Sequence, residues 1–257
     1  SGSLELAPQQ ISASVTEADI RKQLVLRAES ITPISSASTL ARTDNIRLAM
    51  SKYNGLQVAP GEQVSFNTVV GARTLNNGFQ YAIEYVSGME EPGVGGGVCQ
   101  ASTTVYLAAL LSNLEIVSRS PHSDKVSYTT FGQDATVYYS RDRKIDCVFK
   151  NNTDSTLYIV ARVEEVKKNS YQCVVRIYGQ SLGDNVKYKL RTQTVETLTA
   201  PLEAEYRKDT DHEYVTYKDE EYLLRSARDG FINETYLQRW EGNTMVSETF
   251  VSRDTCK

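Results

Sequence analysis

Apolar residues recur at helical spacing in two places in the first half of the chain. The stronger pattern predicts a helix over about Cys99–Ser112. The weaker pattern predicts a helix that Asp44 caps and that ends at Asn54-Gly55. Between them, residues 71–97 are rich in glycine and end in Gly95-Gly96-Gly97, just before the stronger helix. Such a run allows either close backbone packing or an open helix start.

Beyond residue 115 the pattern changes to short β-branched and aromatic runs separated by turn clusters, which predicts strands. The runs are Ile116–Arg119, Val126–Thr130, Ala135–Tyr139, Ile145–Phe149, Leu157–Val166 and Tyr171–Tyr178. Gly179–Gly183 reads as a boundary, and the tail from about Thr192 has few large aliphatic residues. We therefore expect an α+β fold. One antiparallel β-sheet packs on a central helix that starts at Cys99, and a small all-β C-terminal module follows.

These changes divide the chain into a leading segment or linker (1–40), a main domain (41–180) and a small β module (181–257). A charged fraction of 23% describes an ordinary globular protein, and a net charge of −4 without a basic stripe argues against nucleic-acid binding. No apolar run reaches the roughly 18 residues of a membrane span. Ser1-Gly2-Ser3 is typical of a cloning remnant, so we expect an export segment or membrane anchor outside the given sequence.

The four cysteines show neither CxxC spacing nor a Cys/His cluster, so we expect no metal site and no cofactor. Cys147 and Cys173 each fall in a strand-like run, and a third run lies between them. In a simple meander the outer strands stand about 9–10 Å apart, too far for a disulfide. We expect both thiols to be free and buried, although another strand order could join them.

Cys99 is the candidate nucleophile, because a thiol works as its thiolate and a helix start lowers a thiol pKa. A neighbouring imidazolium lowers it further. Of the two histidines, His122 is the better partner, since His212 lies in a charged run typical of a solvated loop. Asp134 would orient the imidazole from the next strand of a hairpin, and Asp124 is the alternative.

The oxyanion and substrate would be bound by first-turn N–H groups and the Gln100 side chain. Gly97, Ser102, Thr103 and Tyr128 complete this predicted set. A structural interpretation stands beside each assignment. The glycines can serve close packing, Cys99 can fill a gap, the hydroxyls can be ordinary first-turn residues, and Tyr128 can pack on a strand face.

Several motifs resemble the VanW family over about residues 41–180. They include Asn45-Ile46-Arg47-Leu48-Ala49, Pro60-Gly61-Glu62, Gly71-Ala72-Arg73-Thr74, GGGVCQASTTVYLAALL, Pro121-His122-Ser123 and Gly132-Gln133-Asp134-Ala135. The resemblance implies an exported or membrane-anchored protein of Gram-positive bacteria, in a family named after an accessory protein of vancomycin-resistance clusters. The family pattern contains Cys99, Gln100, His122 and Asp134. The tail, with Gly230-Phe231, resembles a small extracellular β module named for five glycines.

The order Cys, His, Asp also resembles, in arrangement alone, that of transglutaminase-like and NlpC-like thiol enzymes. We therefore expect an extracytoplasmic cell-envelope thiol enzyme, a peptidase or transpeptidase-like amide transferase, with Cys99, His122 and Asp134 as its catalytic residues. Its partner would be peptidoglycan or a muropeptide, and an envelope protein is a further candidate. The alternative is a non-catalytic module that binds peptidoglycan or a protein. A redox-sensing thiol is a third option, for which no resolving cysteine lies near Cys99 in sequence.

Overall fold

The structure is a computed structural model that describes residues 24–86, 89–140, 144–224 and 226–256. Within these ranges strands predominate over helices, and the α+β class is confirmed. The helices are α1 (Leu40–Tyr53), α2 (Phe66–Val70) and α3 (Val98–Leu111), with a 3-10 turn at Leu75–Asn77. The strands are β1 (Val25–Pro33), β2 (Gln57–Val58), β3 (Gln63–Ser65), β4 (Tyr81–Val86), β5 (Met89–Val94), β6 (Glu115–Ser118), β7 (Tyr138–Tyr139), β8 (Lys144–Ile145), β9 (Val148–Lys150), β10 (Leu157–Lys167), β11 (Ser170–Gly179), β12 (Val186–Leu198), β13 (Gly230–Glu241) and β14 (Thr244–Cys256).

The strands of the described residues form five antiparallel sheets, so the expectation of one sheet is wrong. The largest has the order β1-β11-β10-β2, and two three-stranded sheets have the orders β3-β9-β6 and β12-β13-β14. The pairs β4-β5 and β7-β8 complete the set.

Strand β1 belongs to the main sheet, although its residues fall in the predicted leading segment. It pairs antiparallel with β11, with Ile31 opposite Val174. Residues 1–23 of that segment lie outside the described residues. The division into three segments given above stays a prediction.

Helix α3 begins one residue before the predicted start and is buried along nearly its whole length. Val105, Tyr106 and Ala108 are each at most 1% exposed. The helix contacts β1, β11, β6, β12 and α1. A mostly apolar helix needs such all-round cover, because any uncovered face would expose apolar surface to water.

Helix α1 begins earlier than predicted. The Thr39 hydroxyl caps it by accepting a hydrogen bond from the Arg42 N–H at 3.2 Å, and Asp44 lies within the helix beside Arg47. Its end agrees with the prediction, because the Asn54 N–H donates to the Met50 carbonyl at 3.0 Å. Thr and Asp are both favoured N-cap residues. No helix-breaking residue lies between Thr39 and Asp44, so nothing delays the start of the helix until Asp44.

Residues 119–137 are irregular, which corrects the prediction of strands over Val126–Thr130 and Ala135–Tyr139. Only the last two residues of the second run are a strand, β7. Side chains form the hydrogen bonds to backbone groups here that a neighbouring strand would otherwise form. Arg119 donates from Nε to the Asp134 carbonyl at 2.6 Å and from Nη2 to the Gly132 carbonyl at 3.2 Å. Backbone polar groups need partners, and here those partners are tertiary.

The sheet β12-β13-β14 is joined to this irregular segment. The Thr235 hydroxyl donates to the Gly132 carbonyl at 3.1 Å, and Nδ2 of Asn233 donates to the Phe131 carbonyl at 3.2 Å. Gly132 has φ +88°, and a Cβ there would lie 2.9 Å from the Thr235 hydroxyl oxygen. A glycine is therefore required where the sheet meets the segment.

All four cysteines are free, and Cys147 and Cys173 are buried as predicted. The reason differs from the predicted meander. Cys147 immediately precedes β9, whereas Cys173 lies on β11 in another sheet. Among the helices of the described residues, none has the length and apolar character to cross a membrane.

Candidate active site

The glycine run fixes the start of α3 against its neighbours. A Cβ on Gly96 would lie 2.6 Å from the Ala82 carbonyl oxygen, in strand β4. Gly97 is the N-cap residue, with φ +102°, and a Cβ there would lie 2.8 Å from Cγ of Arg42. Both positions exclude larger side chains, so the glycines do serve close packing. That packing places the first turn of α3, and Cys99 with it.

Cys99 is the second residue of α3 and is half-buried, unlike the other three cysteines, which are buried. Its sulfur lies 3.4 Å from the Val137 carbonyl oxygen and 3.6 Å from the Thr136 hydroxyl. The His122 imidazole is near enough for its charge to favour the thiolate of Cys99. The thiol is therefore surrounded by polar groups at the positive end of a helix.

His122 is held by a single carboxylate. Oδ2 of Asp134 lies 2.6 Å from Nδ1 of the ring and also accepts the His122 backbone N–H at 2.7 Å. The Asp134 side chain is 1% exposed and that of His122 is 15% exposed. Because Nδ1 faces the carboxylate, Nε2 is the ring nitrogen that remains for the thiol. The structure thus brings Cys99, His122 and Asp134 together in the predicted order.

The three groups shift one another's pKa values toward their charged forms. Burial disfavours the thiolate of Cys99, but His122, Val137 and Thr136 together outweigh burial and lower the Cys99 pKa. Burial likewise disfavours a charged ring, but Asp134 and Cys99 raise the pKa of His122 to about 9. The pKa of Asp134 is lowered despite burial, because His122 and Arg119 favour the carboxylate. Each of these shifts moves the site toward a thiolate that faces an imidazolium.

Arg119 and Asp254 extend this row of charges into the C-terminal sheet. Nη2 of Arg119 lies 3.4 Å from Oδ1 of Asp134, and Nη1 lies 2.5 Å from Oδ1 of Asp254 on β14. The guanidinium also lies over the Tyr106 ring of α3, 5.4 Å from its centroid. Signs alternate from the Cys99 thiolate to Asp254, so each buried charge has an opposite neighbour. The sequence offered no signal for Asp254, which is 135 residues from Arg119.

Two alternatives from the sequence are not part of this cluster. Asp124, the other candidate for orienting His122, forms an ion pair with Arg228 at 2.9 Å. His212 is exposed, has φ +55°, and lies in the stretch between β12 and β13. Asp134 is therefore the carboxylate that contacts the imidazole.

The Gln100 side chain is bound away from the sulfur. Its Nε2 donates to the Pro33 carbonyl at 2.9 Å and to the Thr32 hydroxyl at 3.2 Å, and its Oε1 accepts from Arg42 at 3.0 Å. Both amide hydrogens thus have acceptors on β1. This engagement does not match the predicted role of Gln100 as an oxyanion donor.

Ser102 and Thr103 are completely buried and bind backbone. The Ser102 hydroxyl donates to the Ala135 carbonyl at 2.6 Å, and the Thr103 hydroxyl accepts the Ala135 N–H at 3.0 Å. These bonds join α3 to the segment that follows Asp134, and the predicted contact of Ser102 and Thr103 with substrate stays a prediction. Gly97 also has a structural role, since its carbonyl accepts a hydrogen bond from the Gln100 N–H at 2.9 Å.

Tyr128 stands between two cavities beside the cluster. The smaller, about 190 Å³, is bordered by Pro33, Ser35, Arg42, Gln100, Ser127 and Tyr128. The larger, about 510 Å³, lies between residues 125–131 and Asn233 of β13. The Tyr128 hydroxyl is buried beside Thr103. It forms no hydrogen bond with Thr103 or with another described residue. Burial raises its pKa well above the usual value, so it stays a hydroxyl.

Comparisons with known proteins agree on one family. The family model described as "VanW like protein" matches residues 41–175, more than half of the chain. The uncharacterized protein YoaR of Bacillus subtilis is 38% identical over 127 residues, which are 49% of this chain and 41% of YoaR. The vancomycin B-type resistance protein VanW of Enterococcus faecalis is 30% identical over 132 residues, 48% of this chain and 46% of that protein.

This chain matches less than half the length of each of these two relatives. No solved structure matches it. The matched family region contains the whole thiol–imidazole–carboxylate cluster, whereas Asp254 lies beyond it. The chain belongs to the VanW family.

Proposed function

We propose that the protein is a thiol enzyme that cleaves or transfers peptide amides, with Cys99 as nucleophile, His122 as acid and base, and Asp134 as the group that orients His122. One observation carries the proposal. A half-buried thiol at a helix start interacts with an imidazole whose Nδ1 lies 2.6 Å from a buried carboxylate. Nucleophile, base and orienting group in this order are what covalent amide chemistry requires.

The first step forms a thioester. The Cys99 thiolate attacks the amide carbonyl carbon, a C–S bond forms, and the carbonyl electrons move to oxygen. Collapse of this intermediate breaks the C–N bond while the His122 imidazolium gives its proton to the departing nitrogen. The products of the step are an acyl-enzyme and a free amine, with His122 neutral.

The second step releases the acyl group. Neutral His122 accepts a proton from water or from an amine as that molecule attacks the thioester carbon, and the C–S bond breaks to restore the thiolate. Water gives a peptidase and an amine gives an amide transferase. The oxyanion of both steps would be stabilised by the N–H of Cys99 at the start of α3, because those of Val98 and Gln100 already donate to Gly95 and Gly97.

The substrate class and location rest on the family. A relative named as a vancomycin resistance protein supports a role at the bacterial cell wall, and hence peptidoglycan peptides as the amides that are cleaved or exchanged. An extracytoplasmic envelope location follows from that substrate. An enzyme acting there would encounter both water and free amino groups of neighbouring peptides.

The test is incubation with soluble muropeptides that carry full stem peptides, followed by mass spectrometry. We expect peptide amides to be cleaved or exchanged by the wild-type protein and by Cys147→Ser, but not by Cys99→Ala. A Cys99 thioester should be trapped after rapid acid quenching. Unchanged muropeptides in the presence of a folded, muropeptide-binding protein would instead establish a non-catalytic binding module.

A further inference from the structure

Arg73 lies beside the start of α3, and the chemistry proposed above does not use it. It belongs to Gly71-Ala72-Arg73-Thr74, one of the motifs by which the chain resembles the VanW family. Its stem packs on the glycine run, since a Cβ on Gly95 would lie 2.9 Å from both Cβ and Cγ of Arg73. The Gly95 carbonyl accepts the Val98 N–H at 3.0 Å, so the residue under the Arg73 stem also helps to form the first turn.

Two aromatic rings hold the guanidinium of Arg73. Its Cζ lies 5.6 Å from the centroid of the Phe66 ring and 5.7 Å from that of the Tyr139 ring. Tyr139 comes two residues after Val137, whose carbonyl oxygen lies 3.4 Å from the Cys99 sulfur. Aromatic faces attract a cation but do not cancel its charge. The rings therefore fix a full positive charge near the segment that contacts the thiol.

Arg73 has no carboxylate in contact with it among the described residues. Nη1 donates to the Gly71 carbonyl at 3.1 Å, whereas Nη2 is buried and has no hydrogen-bond partner there. Asp146 acts on Arg73 through its charge, but its oxygens accept the Ser65 hydroxyl at 2.5 Å and two backbone N–H groups instead. Burial of a cation without a contacting anion is costly. Packing alone would be served better by an apolar side chain.

The negative charge that acts most strongly on Arg73 is that of the Cys99 thiolate. Burial lowers the pKa of Arg73, and the charges of Cys99 and then Asp146 oppose that lowering. Attraction between two charges is mutual, so the guanidinium also favours the thiolate over the thiol. The sulfur thus has two cations near it, Arg73 and His122. Tyrosine hydroxyls are neutral near pH 7, so the tyrosines coupled to these groups add no charge there: Tyr53, Tyr128 and Tyr139.

We propose that Arg73 is a second cation of the candidate active site, which stabilises the Cys99 thiolate and attracts anionic groups to it independently of His122. The proposal rests on the proposed function and adds a positioning residue to it, because Arg73 acts through the charge on the sulfur. A guanidinium keeps its charge throughout the cycle, whereas His122 gives its proton away in the first step. In the second step Arg73 favours departure of the sulfur as a thiolate, because it stabilises the same negative charge.

The experiment compares the rates at which neutral iodoacetamide and anionic iodoacetate label Cys99 at low salt, with the label assigned by mass spectrometry. Arg73→Met keeps a stem that packs on Gly95 but removes the charge, whereas Arg73→Lys keeps a charge. We expect Arg73→Met to lower the ratio of the iodoacetate rate to the iodoacetamide rate about two- to fivefold, and Arg73→Lys to retain most of the wild-type ratio. Thiolate fraction and nucleophilicity affect both reagents alike, so the ratio isolates the charge.

The pH profile of iodoacetamide labelling is the second measurement. Arg73→Met should move its midpoint upward by about half a pH unit, which is about a threefold loss of thiolate below the midpoint, and Arg73→Lys should restore it. The matched control is Arg47→Met on α1. Arg47 also lies over a ring, that of Tyr171 at 5.8 Å, but it pairs with Asp44, so both measurements should stay unchanged.

Circular dichroism and thermal unfolding confirm that each variant is folded, and Arg73→Gln is the uncharged variant to use where Arg73→Met does not fold. The proposal is overturned if the folded, uncharged variant keeps the wild-type ratio or midpoint, if Arg73→Lys behaves like that variant, or if Arg47→Met has the same effect. The expected shifts without muropeptide turnover by the wild-type protein would leave Arg73 as a cation of the thiolate and reject the enzyme. Turnover by the wild-type protein with neither measurement changed in the variants would do the reverse.

Discussion

The Asp254 carboxylate on β14 lies 2.5 Å from the guanidinium of Arg119, and each side chain is 5% exposed. Arg119 in turn donates to the backbone carbonyl of Asp134, the residue that holds the imidazole. The nearer of the two carboxylates that balance Arg119 thus comes from a sheet that the matched family region does not include. Ser252 supports it, since its hydroxyl donates to Asp254 at 2.9 Å.

We predict that Asp254→Asn destabilises the protein and weakens the site. Removal of the Asp254 charge leaves the buried Arg119 with only its longer contact to Asp134, at 3.4 Å, and breaking a buried ion pair costs on the order of 3–5 kcal/mol in the free energy of unfolding. Urea unfolding measures the loss, and the alkylation rate of Cys99 measures the effect on the site. Glu248→Gln, which removes an exposed carboxylate paired with Arg191 in the same sheet, should leave both unchanged. Equal effects of the two variants would contradict the prediction.

The reactivity of Cys99 should persist at low pH and depend on His122. The imidazolium lowers the thiol pKa, so iodoacetamide should label Cys99 rapidly at pH 6.5. In His122→Ala the thiol loses that charge, and with a pKa near 8.5 or above only about 1% is thiolate at pH 6.5. The rate should fall about ten- to a hundredfold, since the less acidic thiolate is also more nucleophilic.

The other cysteines provide the control for that measurement. Burial raises the pKa values of Cys147 and Cys173 to about 12, so neither should react in the folded protein. Mass spectrometry of Cys99→Ala gives the background from all three. A Cys99 that is inert until denaturation would reject the thiolate.

Asp134→Asn should leave the fold in place and lower the pKa of His122. The carboxylate is among the causes that raise that pKa to about 9, and burial alone would lower it. Nuclear magnetic resonance of the imidazole protons reports the titration, with His212→Gln assigning the two signals. We also expect muropeptide turnover to fall at least a hundredfold, because the amide no longer stabilises the imidazolium. An unshifted His122 titration would show that Asp134 does not orient a charged ring.

The same pair should make stability depend on pH. Because the folded pKa of His122 is raised to about 9, its contribution is complete below the unfolded value of about 6.5 and disappears as pH rises through 9. Because the folded pKa of Asp134 is lowered, its contribution is present above about 3.9 and is lost on further acidification. The difference in urea midpoint between wild type and His122→Gln should therefore be largest at about pH 5–6 and small at pH 10. A constant difference would contradict this.

Gly97→Ala should destabilise the protein more than Gly55→Ala. Both glycines have positive φ, +102° and +85°, so both variants share a backbone cost of about 1–2 kcal/mol. Only at Gly97 would the new Cβ approach Arg42, at 2.8 Å, whereas nothing lies within 4 Å at Gly55. Urea unfolding compares the two, and Cys99 alkylation reports whether the first turn of α3 has moved. Equal destabilisation would show that Arg42 adapts freely.

The parts of the site that depend on local sequence patterns could be predicted. The start of α3 was placed within one residue, because a glycine run followed by an apolar helix is a local signal. Asp134 was selected correctly as the partner of His122, although the hairpin expected to bring them together is not formed. A single backbone bond, from the Thr136 N–H to the Ser120 carbonyl, joins the two sides. The side chains of Arg119 and Thr103 form further contacts that hold the segment in place. Such tertiary contacts leave no periodic pattern in the sequence.

The contacts that sequence reasoning did not foresee are those of buried polar side chains in helices and strands. Gln100, Ser102 and Thr103 follow the nucleophile, so a substrate role was a natural expectation, yet all three bind neighbouring segments. Polar side chains buried in a packed helix must find partners nearby, and which neighbours supply them depends on the full fold. Asp254 could not be predicted for the same reason, since its partner is remote in sequence.

One four-residue stretch, Asp134 to Val137, contacts both reactive groups. Asp134 binds the imidazole, while Thr136 and Val137 lie against the sulfur. Thermal motion that displaces this stretch would carry the base and the nucleophile along together, so their mutual spacing would vary less than the position of either. The stretch thus couples the position of the imidazole to that of the thiol on α3.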